Sequence, residues 1–444
     1  MKSKLSKYNI NVPFGDNTFI FNTLSKGLIR LNNSLLSDIE NNREVDSYIQ
    51  KEMERMNFIV NNEDCEKQIM RYLMNSAKYN YSAMGIILSL TSNCNFRCSY
   101  CYQDGEDKLS SKFLSIEEWK ILLGYIKKTI RKNHISNLSI SLFGGEPLLD
   151  YDALIKIVKE IKALEEEEEI KVSIVLITNG SLLTKSRIDE LLNYVSAFQI
   201  TLDGSESTHN KLRPYLNGGG SFKNIFSNIS YLTNQAPNRL NLRVNVAEES
   251  ISSVYELLKI LIDEKISSSL AGISFEAIFS TQDEILSIGH ENRVSTQLLK
   301  EINKLYFYAV KKGFKINKNF IFGPCMIRHV QSFVVDENLN VYSCAGKVYQ
   351  EQLGRVEDNS NLSIIDSKWY SDILEEPSCI ENCQYAPICY GGCRWMSKCN
   401  KEFFDAVIKE RIAAYVISKY PEEVEHFRFQ EEGLDEVATS REFD

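Results

Sequence analysis

The chain has 444 residues, a hydrophobic fraction of 43%, a charged fraction of 25% and a formal net charge of −9 at pH 7. One hydrophobic core rarely grows past roughly 250 to 300 residues, so we expect two or three domains of a soluble globular protein. The net negative charge argues against a nucleic-acid partner. The absence of a long apolar run or a secretory signal predicts a cytoplasmic protein with no membrane partner.

Residues 1–83 have the pattern of a small α+β domain. Extended segments come first, with the sequences YNINVPF, TFIFNTLS and GLIRL. Helical patterns follow around Leu35 to Glu40 and Tyr48 to Asn57. Cys65 lies apart from the other cysteines, and we interpret it as a small, partly buried hydrophobic residue.

Residues 84–313 repeat a unit of short apolar strand, turn and amphipathic helix. The predicted strands are GIILSLT (85–91), LSISLFGG (138–145), VSIVLITNG (172–180), AFQITLDG (197–204), NLRVNV (241–246) and ISFEAIF (273–279). Such units predict an α/β fold whose parallel sheet is either doubly wound or a barrel, and a count of six favours a partial (β/α)6 barrel. The acidic run EEEEE at 165–169 is interpreted as the solvated end of a helix.

Three cysteines follow the first of these strands in the spacing C-x3-C-x2-C: Cys94, Cys98 and Cys101. Disulfides do not persist in a reducing compartment, so the group indicates metal or redox chemistry. A structural zinc site uses four ligands, commonly as two C-x2-C pairs, and matches this spacing poorly. Iron-sulfur cubanes also take four thiolates, so three thiolates leave one iron open to another ligand.

This spacing after the first strand of a βα repeat resembles the radical S-adenosylmethionine (SAM) superfamily. Strands two to four end in motifs that resemble others of that family: Gly144-Gly145-Glu146-Pro147, Thr178-Asn179-Gly180 and Thr201-Leu202-Asp203-Gly204, the last followed by His209 and Arg213. The resemblance implies that the open iron binds SAM and that reductive cleavage of SAM gives a 5′-deoxyadenosyl radical, which abstracts hydrogen from the substrate. The cofactor-binding residues it implies are Tyr100, Gly144, Gly145, Glu146, Thr178, Asn179, Thr201 and Arg213, with Glu146 at the SAM ammonium.

Residues 314–444 form a predicted third domain, rich in cysteine and followed by a helical tail. The cysteines read Cys325-x18-Cys344, then Cys379-x3-Cys383-x5-Cys389-x3-Cys393-x5-Cys399. Seven thiols exceed one mononuclear site, and a zinc ribbon is the structural alternative. The pattern resembles the SPASM extension of radical SAM enzymes, with two auxiliary 4Fe-4S clusters.

The SPASM resemblance implies a ligand scheme in which Cys379, Cys383, Cys389 and Cys399 bind one auxiliary cluster and Cys325, Cys344 and Cys393 bind the other, one thiolate short. Two departures put the loop geometry in doubt. The usual C-x2-C is C-x3-C at Cys379 and Cys383, and Leu339 stands where a glycine normally precedes Cys344.

The same resemblance implies a maturase of ribosomally made peptides, served by a reductant such as flavodoxin or ferredoxin. Residues 1–83 would recognise a peptide leader by strand addition, although any small α+β domain has this pattern. We expect thioether formation at a cysteine; the alternatives are carbon-carbon cross-linking, sulfatase-type Ser or Cys oxidation, and a non-catalytic metal-stabilised binding protein. Glu276, near the end of the sixth strand, is the candidate general base.

Overall fold

A computed structural model describes residues 4–60, 62–101, 103, 112–278, 296–316, 320–321, 323–393 and 401–426. The strands are β1 (Lys4–Leu5), β2 (Asn9–Phe14), β3 (Asn17–Asn22), β4 (Leu28–Asn32), β5 (Ile59–Val60), β6 (Ala83–Ser89), β7 (Asn137–Phe143), β8 (Lys171–Thr178), β9 (Ala197–Thr201), β10 (Leu240–Val246), β11 (Gly272–Ala277), β12 (Ser332–Val335), β13 (Asn340–Tyr342), β14 (Gly354–Val356) and β15 (Leu362–Ile364). The α-helices are Asn33–Glu40, Ser47–Arg55, Glu63–Lys78, Ile116–Asn133, Tyr151–Glu167, Lys185–Leu191, Glu206–Leu212, Phe222–Gln235, Ile251–Asp263, Thr296–Lys311, Lys368–Leu374, Ala386–Cys389 and Lys401–Lys419.

All six predicted strands are present as β6 to β11. They are parallel and lie in sequence order, each joined to the next by helical crossovers. Strict sequence order differs from a doubly wound sheet, in which the order reverses at a switch point. The prediction of a partial (β/α)6 barrel is therefore confirmed.

The sheet continues from the barrel into the C-terminal region. Strand β12 pairs in parallel with β6, and β13, β14 and β15 then add in antiparallel order to give ten strands. The first barrel strand is therefore internal to the sheet. The C-terminal part from residue 314 is thus joined to the barrel by main-chain hydrogen bonds.

The N-terminal region contains the predicted strands and helices in the predicted order. Strands β2, β3 and β4 form an antiparallel sheet, and helices Asn33–Glu40, Ser47–Arg55 and Glu63–Lys78 follow. The sheet packs against the C-terminal part of the chain: Phe21 meets Phe320 with ring centroids 5.1 Å apart, and Phe19 meets Tyr420 at 5.3 Å. Residues from β2 and β3 belong to the same core as the barrel.

The C-terminal helix Lys401–Lys419 packs along the helix Thr296–Lys311, which precedes β12. A helical tail after the cysteine-rich region was expected from the sequence, and its described part covers the barrel and the N-terminal sheet together. None of the described helices is both long and apolar enough to cross a bilayer.

Candidate active site

A cavity of about 420 Å³ opens at the carboxyl ends of the parallel strands. The structure brings together at this cavity ten of the predicted residues: Cys94, Cys98, Tyr100, Cys101, Gly144, Gly145, Thr178, Asn179, Thr201 and Arg213. They come from loops after four different strands, because the carboxyl ends of parallel strands meet at one edge. Glu146 is absent from the lining.

The two glycines after β7 are required by close contact with the loop after β6. A Cβ atom on Gly145 would lie 2.1 Å from the carbonyl oxygen of Asn93, and one on Gly144 would lie 2.4 Å from that of Thr91. Gly144 also has φ of 140°, which L-residues rarely adopt. The amide of Gly145 donates to the carbonyl of Thr91 at 2.8 Å, and this contact holds the loop that carries Cys94.

Glu146 has a fully buried carboxylate that is bonded on both oxygens. Oε1 accepts from the hydroxyl of Thr178 at 2.6 Å and from the amide of Leu148 at 3.0 Å, while Oε2 accepts from the amide of Asn179 at 2.8 Å. Burial raises the pKa of this carboxyl, and these hydrogen bonds oppose the rise. Glu146 therefore ties the end of β7 to the end of β8 from behind the cavity wall.

Tyr100 joins a polar network on the other side of the cavity. Its hydroxyl donates to Asp203 and accepts from Arg213 Nη1 at 2.8 Å and Asn245 Nδ2 at 3.0 Å. The Nε of Arg213 is buried and has no hydrogen-bond partner among the described residues. Since a buried guanidinium nitrogen needs an acceptor, this donor fits the carboxylate of a bound SAM.

His209 holds this network in place as a neutral side chain. Its Nδ1 accepts from the amide of Asp203 at 3.1 Å, and its Nε2 lies 3.0 Å from Ser221 Oγ. Because Ser221 donates to the carbonyl of Arg213 at 2.7 Å, the proton of His209 sits on Nε2. Burial, followed by the Arg213 charge, lowers the pKa of His209 to about 3.

The three cysteines after β6 surround one end of the cavity. Burial raises the pKa of Cys94 to about 12, and Glu146, Cys98 and Cys101 add to the rise. A bound cation reverses this effect, since iron favours the thiolate. Asn179 Nδ2 lies 3.9 Å from Cys94 Sγ and bonds the side chain of Asn95 at 2.8 Å.

One local arrangement recurs at three of the predicted cluster ligands. Cys94, Cys344 and Cys383 each accept a hydrogen bond at 3.4 Å from the amide two residues later, of Phe96, Gly346 and Tyr385 respectively. Amide donors stabilise negative charge on sulfur, and such hydrogen bonds surround cluster thiolates. Each of the three cysteine loops thus directs one amide donor at its sulfur.

The ligand scheme of the late cysteines stays a prediction, although described members of each group are close enough to interact electrostatically. Burial raises the pKa of Cys344, and the charges of Cys325 and Cys393 add to this. Burial also raises the pKa of Cys379, and the charge of Cys383 adds to this rise. Cys399 lies outside the described residues, and no disulfide joins the ten cysteines that are described. Among those ten, Cys65 is exposed, so the prediction that it is partly buried is wrong. Among all the residues that the structure describes, no group of three His, Cys, Asp or Glu side chains is arranged to hold a single metal ion.

Leu339 adopts a left-handed backbone conformation, which glycine favours. Its φ is 65°, in the left-handed region, at the turn between β12 and β13. The side chain is 1% exposed and packs in the core, and this burial offsets a backbone cost of about 1 kcal/mol. The departure at Leu339 therefore leaves the turn before Cys344 intact.

Sequence reasoning missed the polar end of β10 and part of the C-terminal region. Arg243, Asn245 and Gly346 also line the cavity. The alternation of Arg243 and Asn245 in NLRVNV was the available signal, because alternate strand residues share a face. Glu276 pairs in register with Asn245, but its side chain is exposed and does not line the cavity.

Comparison with known proteins agrees with this geometry. The radical SAM superfamily profile matches residues 88–261. Residues 88–261 therefore carry a radical SAM domain. Its relatives include the radical SAM cyclopropyl synthase TigE of Paramaledivibacter caminithermalis, 26% identical over 262 residues, which are 51% of this chain and 54% of TigE. The chain thus spans about half the length of this relative.

Another relative is the cysteine-type anaerobic sulfatase-maturating enzyme of Clostridium novyi, 24% identical over 350 residues, which are 70% of this chain and 87% of that enzyme. Two solved structures share the fold. Native anSMEcpe with bound AdoMet has a TM-score of 0.57 at 16% identity, covering 77% of this chain and 98% of that one. Streptococcus suis SuiB bound to precursor peptide SuiA has a TM-score of 0.51 at 13% identity, covering 88% and 96%.

Proposed function

We propose that this radical SAM enzyme modifies a ribosomally made peptide and forms a thioether at one of its cysteines. The proposal is supported by relatives that include a sulfatase-maturating enzyme and by a structural neighbour that binds a precursor peptide. Cys94, Cys98 and Cys101 would hold a 4Fe-4S cluster, which would supply the electron for the reductive cleavage of SAM. The chain's own residues that would bind and orient the cofactor include Tyr100, Gly144, Gly145 and Arg213, which line the cavity.

The observation that carries a peptide substrate is the open edge of the N-terminal sheet. Strand β4 pairs with β3, and no other described strand pairs with it. The amide of Asn33 donates to Asp16 on the β3 side, so residues 28, 30 and 32 direct their amides away from the sheet. An edge of this kind accepts an extended peptide as an added strand.

The likeness to SuiB extends into this N-terminal region. It covers 88% of the chain, whereas residues 84–444 make up only about 81% of the sequence. Part of residues 1–83 therefore takes part in the match. SuiB is the neighbour bound to a precursor peptide, which favours leader recognition by β4 in this protein.

The experiment on this edge is Leu28→Pro, with Leu28→Ala as its matched control. Proline at position 28 removes an outward amide without breaking a β3–β4 hydrogen bond, whereas alanine shortens the side chain and keeps the amide. The ligand is the short cysteine-containing peptide that we expect to be encoded beside the gene. Fluorescence anisotropy should show that Leu28→Pro binds this peptide at least tenfold more weakly than the wild type does, whereas Leu28→Ala binds it as the wild type does. Equal affinities for both variants and the wild type would refute strand addition at β4.

Deleting residues 1–83 is a poorer test. It would expose the faces that Phe21 and Phe19 cover on the C-terminal part. Loss of peptide binding would then report damage to the core as well as loss of the recognition edge.

Thioether formation is favoured by the three-cysteine group Cys325, Cys344 and Cys393. These three thiolates would hold a cubane with one iron left for a substrate thiol, and binding there would lower the pKa of that thiol and place its sulfur for bond formation. A cysteine-bearing peptide should therefore change the electron paramagnetic resonance spectrum of an auxiliary cluster, and its Cys→Ser version should change it less. Identical spectra at saturation would exclude direct ligation.

Carbon-carbon bond formation is the second candidate, favoured by the likeness to a cyclopropyl synthase, and sulfatase-type oxidation is favoured by the Clostridium novyi relative. The product distinguishes them. A thioether consumes a thiol that iodoacetamide would otherwise alkylate, carbon-carbon bond formation leaves that thiol reactive, and oxidation converts it to an aldehyde. A metal-stabilised binding protein would contain a few zinc ions instead of about twelve irons in three cubanes.

A further inference from the structure

Arg243 places a second guanidinium in the cavity, in addition to that of Arg213. It lies on β10, in register with Thr201 of β9 and Ser274 of β11, and its side chain lines the cavity. The described lining contains these two arginines and no aspartate, glutamate, histidine or lysine. The part of the cavity formed by β9 and β10 therefore attracts an anion.

The two arginines differ in how they are held. Arg213 is buried and has the Nε that fits the SAM carboxylate. Arg243 is half-buried, and its Nε donates to Asn245 Oδ1 at 2.9 Å. Asn245 in turn donates from Nδ2 to the hydroxyl of Tyr100 at 3.0 Å. The network around Tyr100 thus fixes the guanidinium of Arg243 through Nε, which leaves its terminal amino groups for a ligand.

Two carboxylates lie near Arg243 in the sheet, and neither forms an ion pair with it. Asp203 accepts from Tyr100 and from the amide of Asn245, and its Oδ2 lies 3.8 Å from Arg213 Nη1. Burial raises the pKa of Asp203, and the Arg213 charge opposes this rise more than the Arg243 charge does. Glu276 is in register with Asn245, but its side chain is exposed.

A half-buried guanidinium with no carboxylate partner in the described part of the chain is stabilised when a ligand supplies one. We propose that Arg243 binds a carboxylate of the substrate peptide, either an Asp or Glu side chain or the terminal carboxylate, close to the residue that loses hydrogen. The planar guanidinium can engage both carboxylate oxygens, and Gln199, which lines the cavity on β9, is an additional amide donor.

Arg243 is therefore a specificity-determining residue, which selects peptides and leaves the SAM carboxylate to Arg213. The inference rests on the proposed function in one respect, namely that the carboxylate belongs to a peptide. The carboxylate site itself does not depend on which bond the enzyme forms.

The first test needs no peptide and uses calorimetric titration of SAM into the anaerobically loaded protein. Arg243→Gln should bind SAM within threefold of the wild type. The control Arg131→Gln removes an exposed arginine that pairs with Glu168 and should also match the wild type. A tenfold or greater loss of SAM affinity in Arg243→Gln alone would show that this arginine binds the cofactor and would overturn the proposal.

The second test uses the precursor peptide in three forms: unchanged, with each Asp or Glu changed in turn to Asn or Gln, and with an amidated C-terminus. For the wild type, one of these changes should raise KM at least tenfold. Arg243→Gln should raise KM for the unchanged peptide by a similar factor, and the same peptide change should then have no further effect. Arg243→Lys, which keeps the charge but loses the planar fork, should give an intermediate KM.

The peptide change that couples to Arg243 shows whether the carboxylate is a side chain or the terminus. If every peptide change has the same effect on the wild type and on Arg243→Gln, the proposal is wrong.

A small probe separates failure of this inference from failure of the proposed function. Saturation-transfer NMR on the SAM-loaded protein should detect N-acetyl-L-glutamate with the wild type and with Arg131→Gln, at least fivefold less with Arg243→Gln, and N-acetyl-L-glutamine with none of them. If the wild type leaves the peptide unmodified but this signal depends on Arg243, the peptide chemistry fails and the carboxylate site stands. Equal signals from the wild type and Arg243→Gln would overturn the carboxylate site.

Discussion

Replacing Glu146 with glutamine separates two roles for this carboxylate. The motif GGE resembles one that binds the SAM ammonium, whereas the structure engages both carboxylate oxygens with donors from the chain. We expect Glu146→Gln to lower the free energy of unfolding and to leave SAM affinity within threefold of the wild type. The reason is that the side chain connects the loops after β7 and β8 and does not line the cavity.

The magnitude follows from the donors that Glu146 meets. Glutamine can keep one oxygen for Thr178 and Leu148, but its NH2 group then faces the amide of Asn179, which is also a donor. Losing a hydrogen bond to a charged group costs about 1.5 to 3 kcal/mol, and relief from burying a carboxylate returns part of it. The expected net loss of unfolding free energy is about 2 kcal/mol.

The assay is urea unfolding of the anaerobically loaded protein, combined with calorimetric titration of SAM. The control Glu190→Gln changes an exposed carboxylate that is bonded to Lys159 and Tyr151, and we expect no measurable change in either quantity. A direct contact with the SAM ammonium would instead give about 10- to 100-fold weaker SAM binding, corresponding to a lost charge-assisted hydrogen bond. That weakening with an unchanged urea midpoint would refute the structural role.

Three further predictions concern the cavity and its supports. Replacing Cys94, Cys98 and Cys101 by alanine should reduce iron from about twelve to about eight per chain and abolish 5′-deoxyadenosine formation under dithionite; persistent SAM cleavage would contradict the assignment. Gly145→Ala should cause the same iron loss, because its Cβ would clash with Asn93, and a full iron content would contradict that reasoning. The folded pKa of His209, about 3, lies below its ordinary value near 6.5, so its stabilisation is complete above pH 6.5 and is lost as pH falls toward 3. Between pH 7.5 and 5.5 the wild type should lose roughly 1.3 kcal/mol more than His209→Gln in urea unfolding, and parallel pH profiles would contradict the shift.

The sequence predicted the barrel strands and most of the cavity because each motif follows its own strand directly. Apolar runs of six to nine residues placed β6 to β11, and the topology of parallel strands then brought Cys94, Gly144, Thr178 and Arg213 to one edge. These are local signals joined by one rule of sheet geometry.

The features that were missed depend on contacts between distant segments. The donors to Glu146 come from residues 178 and 179, and no motif reveals that they face the carboxylate from inside the protein. Phe21 and Phe320 are far apart in the chain, so their contact produces no periodic pattern that the sequence analysis could detect. Leu339 was read as a departure because a sequence does not record φ, and only its backbone conformation shows that the turn is retained.

The pairing of β6 with β12 has a consequence for synthesis of the chain on the ribosome. Strand β6 ends at Ser89 and its partner begins at Ser332, so about 240 residues must be translated between them. At ~5 to 20 residues per second, one edge of an apolar strand waits roughly 12 to 50 seconds for its partner. An unpaired edge of this kind recruits other strands, so we expect the nascent protein to depend on chaperones until its last quarter emerges.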